Sequence, residues 1–493
     1  MKSIEVDSVL ELIQNTKNKS DQDKGCSKRK IYLRQWVMWL NFLLVQILLG
    51  MAYGYSAISL QQLKSTKNDE TNDIKFENGE ILGRPQLIVD SLDTQSWIAS
   101  SMLLFMMPGC WILAASSNIL GRKPILLISV AGFTVSWMII AFANNAYHII
   151  VGRSLSGVCV GIITGLTYMY LGECAIPKLR TIFYTLFTVS FTVGIELCHL
   201  IGTWYHWRTT ALFSAGLGII TFFSNYHLPE SPIWLIHKNK LKNALKSWLF
   251  LRGKTSDNEF ESICSIIQFE LRQNKVKESR IMKFYSPGFW KPLGILIALF
   301  TTAQMSGMAA VSFYCTLIIA EITNSTNGYI PTLILDTFRV GGSIILCFLA
   351  KQFTTRTLMI FSGISCSLTL FLLGLSIYFN FWTPWGQLIL LFVHELTIVI
   401  GLGPLPWTFC SELFAVNHKE VGVSIITNYY CIISFVMVKA CPYMFSTFQP
   451  WRTFLIYSSF TLIGTIVLYF ILPNTKNKSM KEIELLFSKN STS

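Results

Sequence analysis

The sequence predicts an all-α membrane protein with twelve transmembrane helices in two six-helix halves. Hydrophobic residues make up 52% of the 493 residues and charged residues only 14%, whereas about a quarter of the residues of a soluble protein are charged. Twelve apolar runs reach roughly the 20 residues that a helix needs to cross a bilayer. These runs cover residues 36–60, 97–120, 124–144, 148–171, 182–204, 210–228, 293–320, 331–350, 357–380, 386–411, 421–444 and 453–472.

The first run follows a polar, basic segment and lacks a small-residue cleavage site, so we interpret it as a span rather than a signal peptide. The net charge of +13 lies mostly on one side of the predicted membrane. If both termini are cytosolic, 31 of the 40 Lys and Arg residues lie in cytosolic segments, 6 lie in outward loops and 3 lie inside spans. This asymmetry follows the positive-inside rule of membrane proteins. We therefore attribute the net charge to membrane topology rather than to binding of nucleic acid.

The same topology places residues 61–95 outside. It makes Asn324, in the sequence NST, the one glycosylation site that faces the exterior. The twelve cysteines lie in helices and cytosolic segments, so we predict no disulfide framework.

The spacing of the runs divides the chain into two halves separated by a charged segment. We predict a cytosolic N-terminal segment at 1–35, an N-terminal half at 36–228, a cytosolic loop at 229–291, a C-terminal half at 292–473 and a cytosolic tail at 474–493. Apolar residues keep helical spacing twice within the loop, which predicts short amphipathic helices. The residues are Leu241, Ala244, Leu245 and Trp248, and then Phe260, Ile263, Ile267 and Leu271.

One acid-to-base spacing occurs in both halves. In YLGECAIPKLR, Glu173 precedes Arg180 by seven residues, and in FCSELFAVNHK, Glu412 precedes Lys419 by seven. Both stretches lie where a span ends, the fourth and the tenth respectively. A motif repeated at matching positions of two six-span halves is typical of a transporter built from two homologous halves.

Six stretches carry a resemblance to a known family. They are YLGECAIPKLR, LPESPIWL at 228–235, ALKSWLFLRG at 244–253, AQMSGMAAVSFY at 303–314, GLGPLPWTFCSELF at 401–414 and PNTKNKSMKEIE at 473–484. From about residue 36 to 484 the chain resembles the sugar porters of the major facilitator superfamily, most closely the insect facilitated trehalose transporter-like members. The resemblance implies the major facilitator fold, a location in the plasma membrane, a small sugar as substrate, and neither enzymatic activity nor a cofactor.

The resemblance also implies a set of cytosolic charges that pair across the boundary between the halves while the carrier is open outward. We name these six residues the inner latch: Arg122, Glu173, Arg180, Glu230, Glu412 and Lys419. The alternative is that they only solvate the helix ends. Several partners of the family pattern are replaced here, which weakens the expected latch. The replacements are Asn118, Ile119, Ile233 and Asn474.

By the same resemblance, five residues are candidates for substrate binding: Thr188, Gln304, Ser306, Arg339 and Trp407. Where the family reads QQxxGxN, this chain has Ala303 and Ala309 in place of one Gln and the Asn. A site that loses polar partners loses discrimination between hydroxylated substrates. The resemblance to the family therefore does not predict glucose-like selectivity for this chain.

Ionisable residues inside spans are functional candidates. We expect Glu196 of the fifth span to pair with Arg153 of the fourth; the alternative is contact with substrate or a proton. His199 shares the face of Glu196, but the other ligands of a di-metal site are missing, so no metal is predicted. Asp336 and Arg339 are spaced to neutralise each other. His394 and Glu395 at the start of the tenth span are interpreted as structural residues.

The driving force is predicted to be the substrate gradient. Proton-coupled sugar porters commonly have an Asp on the first span, where this chain has Ser56, and no ATP-binding GxxxxGK[ST] loop is present. We therefore expect facilitated uniport of a sugar such as trehalose or a hexose. The alternatives are a porter for a changed substrate, such as an anion attracted by Arg339, and a membrane sensor that binds sugar without moving it.

Overall fold

The computed structural model describes residues 26–64, 87–252, 260, 264–265, 287–323, 328–414 and 419–474. The described residues are helical apart from short connections. Ten of their helical segments are long and apolar enough to cross a membrane. The chain is therefore an all-α membrane protein, as the composition predicts. The predicted terminal segments 1–35 and 474–493 fall largely outside the described residues.

Six helices lie in the N-terminal half as far as the structure describes it. They are α1 (Cys26–Leu63), α2 (Leu92–Leu120), α3 (Arg122–Ala141), α4 (Ala146–Cys174), α5 (Pro177–Trp204) and α6 (Trp207–Tyr226). Local chemistry sets two of the helix starts: the Asn145 side chain accepts the His148 backbone N–H at 3.0 Å before α4, and Pro177 opens α5. In this half α1 packs against α5, α2 against α4, and α3 against α4 and α6.

Two short helices follow at one end of the bundle, α7 (Pro232–His237) and α8 (Leu241–Arg252). The four apolar residues that predicted α8 are all buried, which confirms the first amphipathic helix. Gln35 of α1 holds α8 in place by donating to the Leu251 carbonyl at 2.9 Å. Of the second predicted amphipathic helix, Phe260 is buried and the rest lies outside the described residues, apart from Cys264 and Ser265.

Seven helices lie in the described part of the C-terminal half. They are α9 (Pro287–Met305), α10 (Met308–Thr323), α11 (Tyr329–Gln352), α12 (Thr355–Phe379), α13 (Pro384–Ile400), α14 (Leu405–Leu413) and α15 (Lys419–Ile471). Two spans are broken within the membrane, between α9 and α10 and between α13 and α14. Gly307, with φ of 80°, forms the first break. At the second, the Ser362 hydroxyl donates to Thr397 O and accepts from Leu402 N, which satisfies freed backbone groups.

Helix α15 contains two spans. Its 53 residues would extend about 80 Å at 1.5 Å per residue, far beyond a hydrocarbon core of about 30 Å. Gln449 is non-helical, with φ of 63° and ψ of 159°, and Pro450 follows it. The chain reverses there. The twelve predicted spans thus correspond to α1 to α6, α9–α10, α11, α12, α13–α14 and the two parts of α15.

Close packing between α2 and α4 depends on glycine. A Cβ at Gly157 would lie 2.3 Å from Met102 O, and one at Gly161 would lie 2.2 Å from Met106 O. The α4 backbone therefore touches the α2 backbone at both positions, as small-residue repeats in membrane helices predict. Gly165, one turn further on, faces the flexible side chain of Leu113 instead.

We call the end of the bundle that carries α7 and α8 the inner end, and the end that carries residues 204–207 and 379–384 the outer end. The halves meet where α10 packs on α1, α11 on α5, and α15 on α2. Toward the outer end, Lys439 Nζ of α15 pairs with Asp93 Oδ1 of α2 at 2.6 Å. Thr337 of α11 donates to Glu196 of α5 at 3.2 Å. These contacts hold the outer ends of the two halves together.

Candidate functional site

Aromatic side chains lie on both sides of the boundary between the halves. The rings of Tyr53 on α1 and Phe313 on α10 lie 5.6 Å apart, and those of Trp97 on α2 and Phe435 on α15 lie 5.8 Å apart. Sequence reasoning did not identify these residues, because aromatic residues are common throughout apolar spans and only the packing shows which ones face the partner half.

The break between α9 and α10 holds two of the predicted binding residues. Gln304, in the last turn of α9, is 1% exposed, and neither polar atom of its amide has a hydrogen-bond partner among the described residues. A buried amide without partners is costly unless another molecule satisfies it. The neighbouring Ser306 differs, since its hydroxyl donates to Ala303 O at 2.7 Å. Gln304 is therefore the stronger candidate for contact with a ligand.

The second break positions Trp407 on α14. Its side chain is 38% exposed, and its ring lies 4.9 Å from that of Phe300 and 5.0 Å from that of Tyr430. Both neighbours contact the indole edge to face, and part of the indole stays exposed. Thr188 lies half-buried on α5 of the opposite half. The binding roles of Thr188, Gln304, Ser306, Arg339 and Trp407 stay predictions.

Arg339 lies in a buried cluster of charges. Its Nη1 donates to Asp336 Oδ1 and its Nε to Glu395 Oε2, both at 3.0 Å. Across the boundary between the halves, His199 Nδ1 lies 2.5 Å from Asp336 Oδ2, and His199 Nε2 lies 2.9 Å from Gly54 O. The expected Asp336–Arg339 pair is therefore present. Because two carboxylates already hold Arg339, it does not offer a free positive charge to an anionic substrate.

The expected pair of Arg153 with Glu196 is wrong. Arg153 is fully buried and turns toward α1, where it donates to Ala52 O at 2.6 Å and to Ser56 Oγ at 2.7 Å. Glu196 turns toward α11 and accepts from Thr337. The prediction used only the depth of the two residues in the membrane. It failed because the rotation of each helix about its own axis directs the two side chains to different helices.

Three residues of the inner latch meet within the N-terminal half. Arg122 donates to Glu173, with Nη2 2.8 Å from Oε1, so α3 is tied to α4. Glu230 accepts the backbone N–H groups of Arg122 at 2.9 Å and Lys123 at 3.3 Å. Its carboxylate thus caps the N-terminus of α3, where the helix dipole favours a negative charge.

The remaining latch residues lie at the inner ends of α5, α14 and α15. Arg180 Nε and Glu412 Oε2 are buried without hydrogen-bond partners in the part of the chain that is described. Lys419 begins α15, but its side chain lies outside the described residues, as does Asn324. Within the described ranges, no group of three or more His, Cys, Asp and Glu side chains is arranged to hold a metal ion.

Comparison with known proteins gives the family. The model of the family described as "Sugar (and other) transporter" matches residues 20–487. The chain belongs to this sugar transporter family. It is 29% identical over 404 residues to the facilitated trehalose transporter Tret1 of Apis mellifera ligustica, covering 81% of this chain and 80% of that protein. It is 26% identical over 398 residues to Tret1 of Polypedilum vanderplanki, covering 79% and 78% of the two chains.

Solved structures of sugar transporters share the fold. The xylose transporter XylE from E. coli, in a partially occluded inward open conformation, superposes with a TM-score of 0.73 at 16% identity, covering 90% of this chain and 99% of that one. Its inward open conformation gives the same TM-score over 92% and 99% of the two chains. The charge cluster around Arg339 is formed by the packing of α5, α11 and α13.

Proposed function

We propose that this protein carries a sugar such as trehalose or a hexose across the plasma membrane by alternating access, down the gradient of the sugar. Gln304 supports this proposal most directly. Its amide can both donate to and accept from a hydroxyl group, which suits a polyhydroxylated ligand. Trp407 offers an exposed aromatic face on which a sugar ring can stack.

Alternating access is supported by where the halves touch. The outer ends are joined through Asp93–Lys439 and Glu196–Thr337. Arg180 and Glu412 of the inner latch each have one polar atom without a partner among the described residues. We assign this arrangement to a carrier that is closed outward and whose inner latch is released. In the opposite state the six latch residues bring the inner ends together. Exposed ion pairs contribute about 0–1 kcal/mol each, so several can bias two states without locking either.

Downhill uniport is supported by the surroundings of Arg153. Within the described residues this buried guanidinium contacts carbonyls and Ser56, with no carboxylate that could take up and release a proton. With both termini placed in the cytosol, the inner end faces the cytosol and the outer end the exterior. The excess of Lys and Arg on the predicted cytosolic segments supports that orientation.

A porter with a changed substrate is the second candidate. Ala303 and Ala309 are buried at 1% and 7% exposure, so two family amides are replaced by methyl groups beside the same break. This observation favours a sugar with fewer polar contacts rather than an anion, since Arg339 is already paired. A sensor that binds sugar without moving it would have the same pocket and no flux.

Uptake into vesicles containing the purified protein tests the proposal. We expect saturable uptake of at least one sugar from a labelled panel of trehalose, glucose, fructose and sugar acids. Gln304→Ala should weaken the affinity about ten-fold, equivalent to about 1.4 kcal/mol. Ser306→Ala is the matched control and should change little, because its hydroxyl bonds its own helix. Binding of a sugar without flux would establish the sensor, and a sugar acid as sole substrate would overturn the proposal.

A further inference from the structure

The contact between His199 and Asp336 bridges the two halves near the outer end. His199 lies five residues before the end of α5 and Asp336 seven residues after the start of α11, which is about 8 Å and 10 Å of helix. Both side chains are fully buried. His199 keeps a second contact within its own half, from Nε2 to Gly54 O. Opening the outer end therefore separates His199 from Asp336 but not from Gly54.

The hydrogen-bond geometry requires a proton on this pair. A backbone carbonyl only accepts, so His199 Nε2 must donate to Gly54 O. A neutral imidazole then has a lone pair on Nδ1, and that lone pair would face a carboxylate oxygen 2.5 Å away. Two acceptors at this distance repel each other. The contact is favourable only when one additional proton lies between His199 Nδ1 and Asp336 Oδ2.

Charge balance also requires one proton on the buried cluster, and the hydrogen-bond geometry places it between His199 and Asp336. Arg339 contributes one positive charge, and Asp336 and Glu395 contribute two negative charges. The exposures of these side chains are 3%, 0% and 1%. Without the additional proton the buried cluster has a net charge of −1, which is costly in the membrane interior. With it, the cluster is neutral.

The groups packed around the pair do not supply that charge. Glu196, one turn earlier on α5, is an acid rather than a base and points to Thr337. Arg153 lies on the far side of α1 and is held by Ala52 O and Ser56. Among the described residues, the titratable groups outside the cluster that interact with Asp336 are Cys198 on α5 and Cys315 on α10.

We propose that His199 and Asp336 form a proton-binding outer latch, in which one proton taken up from the exterior holds the outer end of the transporter closed. In the closed state the proton joins two acceptors and neutralises the cluster. In the open state His199 and Asp336 are apart, so the contact that required the proton is absent. A ligand that binds one state more tightly shifts the equilibrium toward it.

The direction of the pH effect follows. The closed state holds one proton more than the open state. The population of the closed state therefore increases as pH falls, and the population of the open state increases as pH rises. The proton enters and leaves on the outer side, because the pair is buried once the outer end has closed. Sugar transport therefore stays downhill while its rate responds to exterior pH. This inference rests on the alternating-access part of the proposed function and not on which sugar is carried.

Distances between the outer ends test the proposal without any sugar. Tyr147 and Trp385 are 77% and 58% exposed and can each be replaced by a spin-labelled unnatural amino acid. Double electron–electron resonance in lipid nanodiscs then measures the distance between the two halves. We expect the long-distance population to grow as pH rises from about 5 to about 8. The open-to-closed ratio should change by at most about ten-fold per pH unit, the limit for one linked proton.

Three variants separate the latch from other pH effects. Asp336→Asn should keep the short distance at every pH, because its amide donates to a neutral His199 and Arg339 with Glu395 remains a neutral pair. His199→Phe keeps the charge of the cluster but removes one of the two acceptors, so its pH dependence should differ from that of the unmodified chain. His148→Gln removes an exposed histidine of the same outer end and should respond as the unmodified chain does.

An unchanged distribution in the unmodified protein across this pH range would overturn the proposal. The same holds if Asp336→Asn responds to pH like the parent chain. If His199→Phe does not fold, Asp336→Asn decides alone, because it conserves shape and hydrogen bonding. A pH-dependent distance together with no sugar uptake would leave the latch standing and reject the proposed substrate class.

Discussion

At the scale of single residues, Arg153 is the buried charge on which the proposal of downhill transport depends. Its guanidinium is fully buried, yet its contacts within the described residues are carbonyl oxygens and the Ser56 hydroxyl. A buried arginine in this setting is held by dipoles rather than by a counter-ion. A carboxylate introduced at Ser56 would therefore contact the guanidinium of Arg153 directly.

Ser56→Asp should stabilise the protein by about 2 kcal/mol relative to Ser56→Asn, because a carboxylate there makes charge-assisted bonds to Arg153. Protonation of the new carboxylate would remove these charge-assisted bonds. The added stability should therefore be present at neutral pH and be lost at acidic pH. Thermal unfolding of both variants in detergent, at neutral and acidic pH, measures it. Equal stability of the two variants at neutral pH would contradict this account of Arg153.

The inner latch gives a second prediction at this scale. Glu412→Gln should lower the outward-facing population about five-fold, since one exposed ion pair contributes about 1 kcal/mol. Glu173→Gln should act in the same direction, and the double variant should be non-additive if the residues share a network. Accessibility of a cysteine beside Trp407 to an impermeant thiol reagent reports this population. Unchanged labelling in both single variants, with normal expression, would contradict the inner latch. These charges would then only solvate the ends of their helices.

At the scale of helices, the approach of α2 to α4 yields a matched set of variants. Gly157→Ala and Gly161→Ala should each destabilise the protein by about 1–3 kcal/mol, because the added methyl group meets a backbone carbonyl that cannot move aside. Gly165→Ala should be tolerated, since it meets only the Leu113 side chain. Unfolding temperatures in detergent compare the three. A loss of stability as large for Gly165→Ala as for the others would refute the backbone-contact explanation.

The helices themselves were largely predictable from the sequence. Apolar runs of bilayer length gave the spans, and the helical spacing of Leu241 to Trp248 gave α8. Glycine and proline at 403–406 indicated the break before α14. The break at Gly307 was not predicted, although a glycine in AQMSGM was its signal. Helix α1 also begins at Cys26, ten residues before the predicted span, because apolarity marks the membrane-embedded part of a helix and not its full length.

The candidate site was predictable only in part. The three-residue spacing of Asp336 and Arg339 was enough to predict their pair, because both lie on one helix. Contacts between helices could not be predicted, because the spacing of residues along the chain does not give the rotation of α5 relative to α11. For that reason His199 and Glu395 could not be assigned to the cluster, and Arg153 was given the wrong partner.

At the scale of the whole molecule, the orientation in the membrane is a prediction with a direct test. With both termini in the cytosol, Asn324 is the one sequon available for glycosylation. Expression in a eukaryotic cell should give a glycan-dependent mobility shift that Asn324→Gln removes. Asn477→Gln, in the cytosolic tail, is the control and should leave the shift unchanged. A shift that survives Asn324→Gln would overturn this topology.

The central claim, downhill movement of a sugar by alternating access, is tested most directly by counterflow. Vesicles containing the protein are loaded with an unlabelled sugar and diluted into a trace of the same sugar carrying a label. A uniporter that alternates between two openings predicts a transient accumulation of label inside, which a protonophore does not abolish when pH is equal on both sides. Absence of counterflow with every sugar of the panel, from protein that is folded and inserted, would contradict the account.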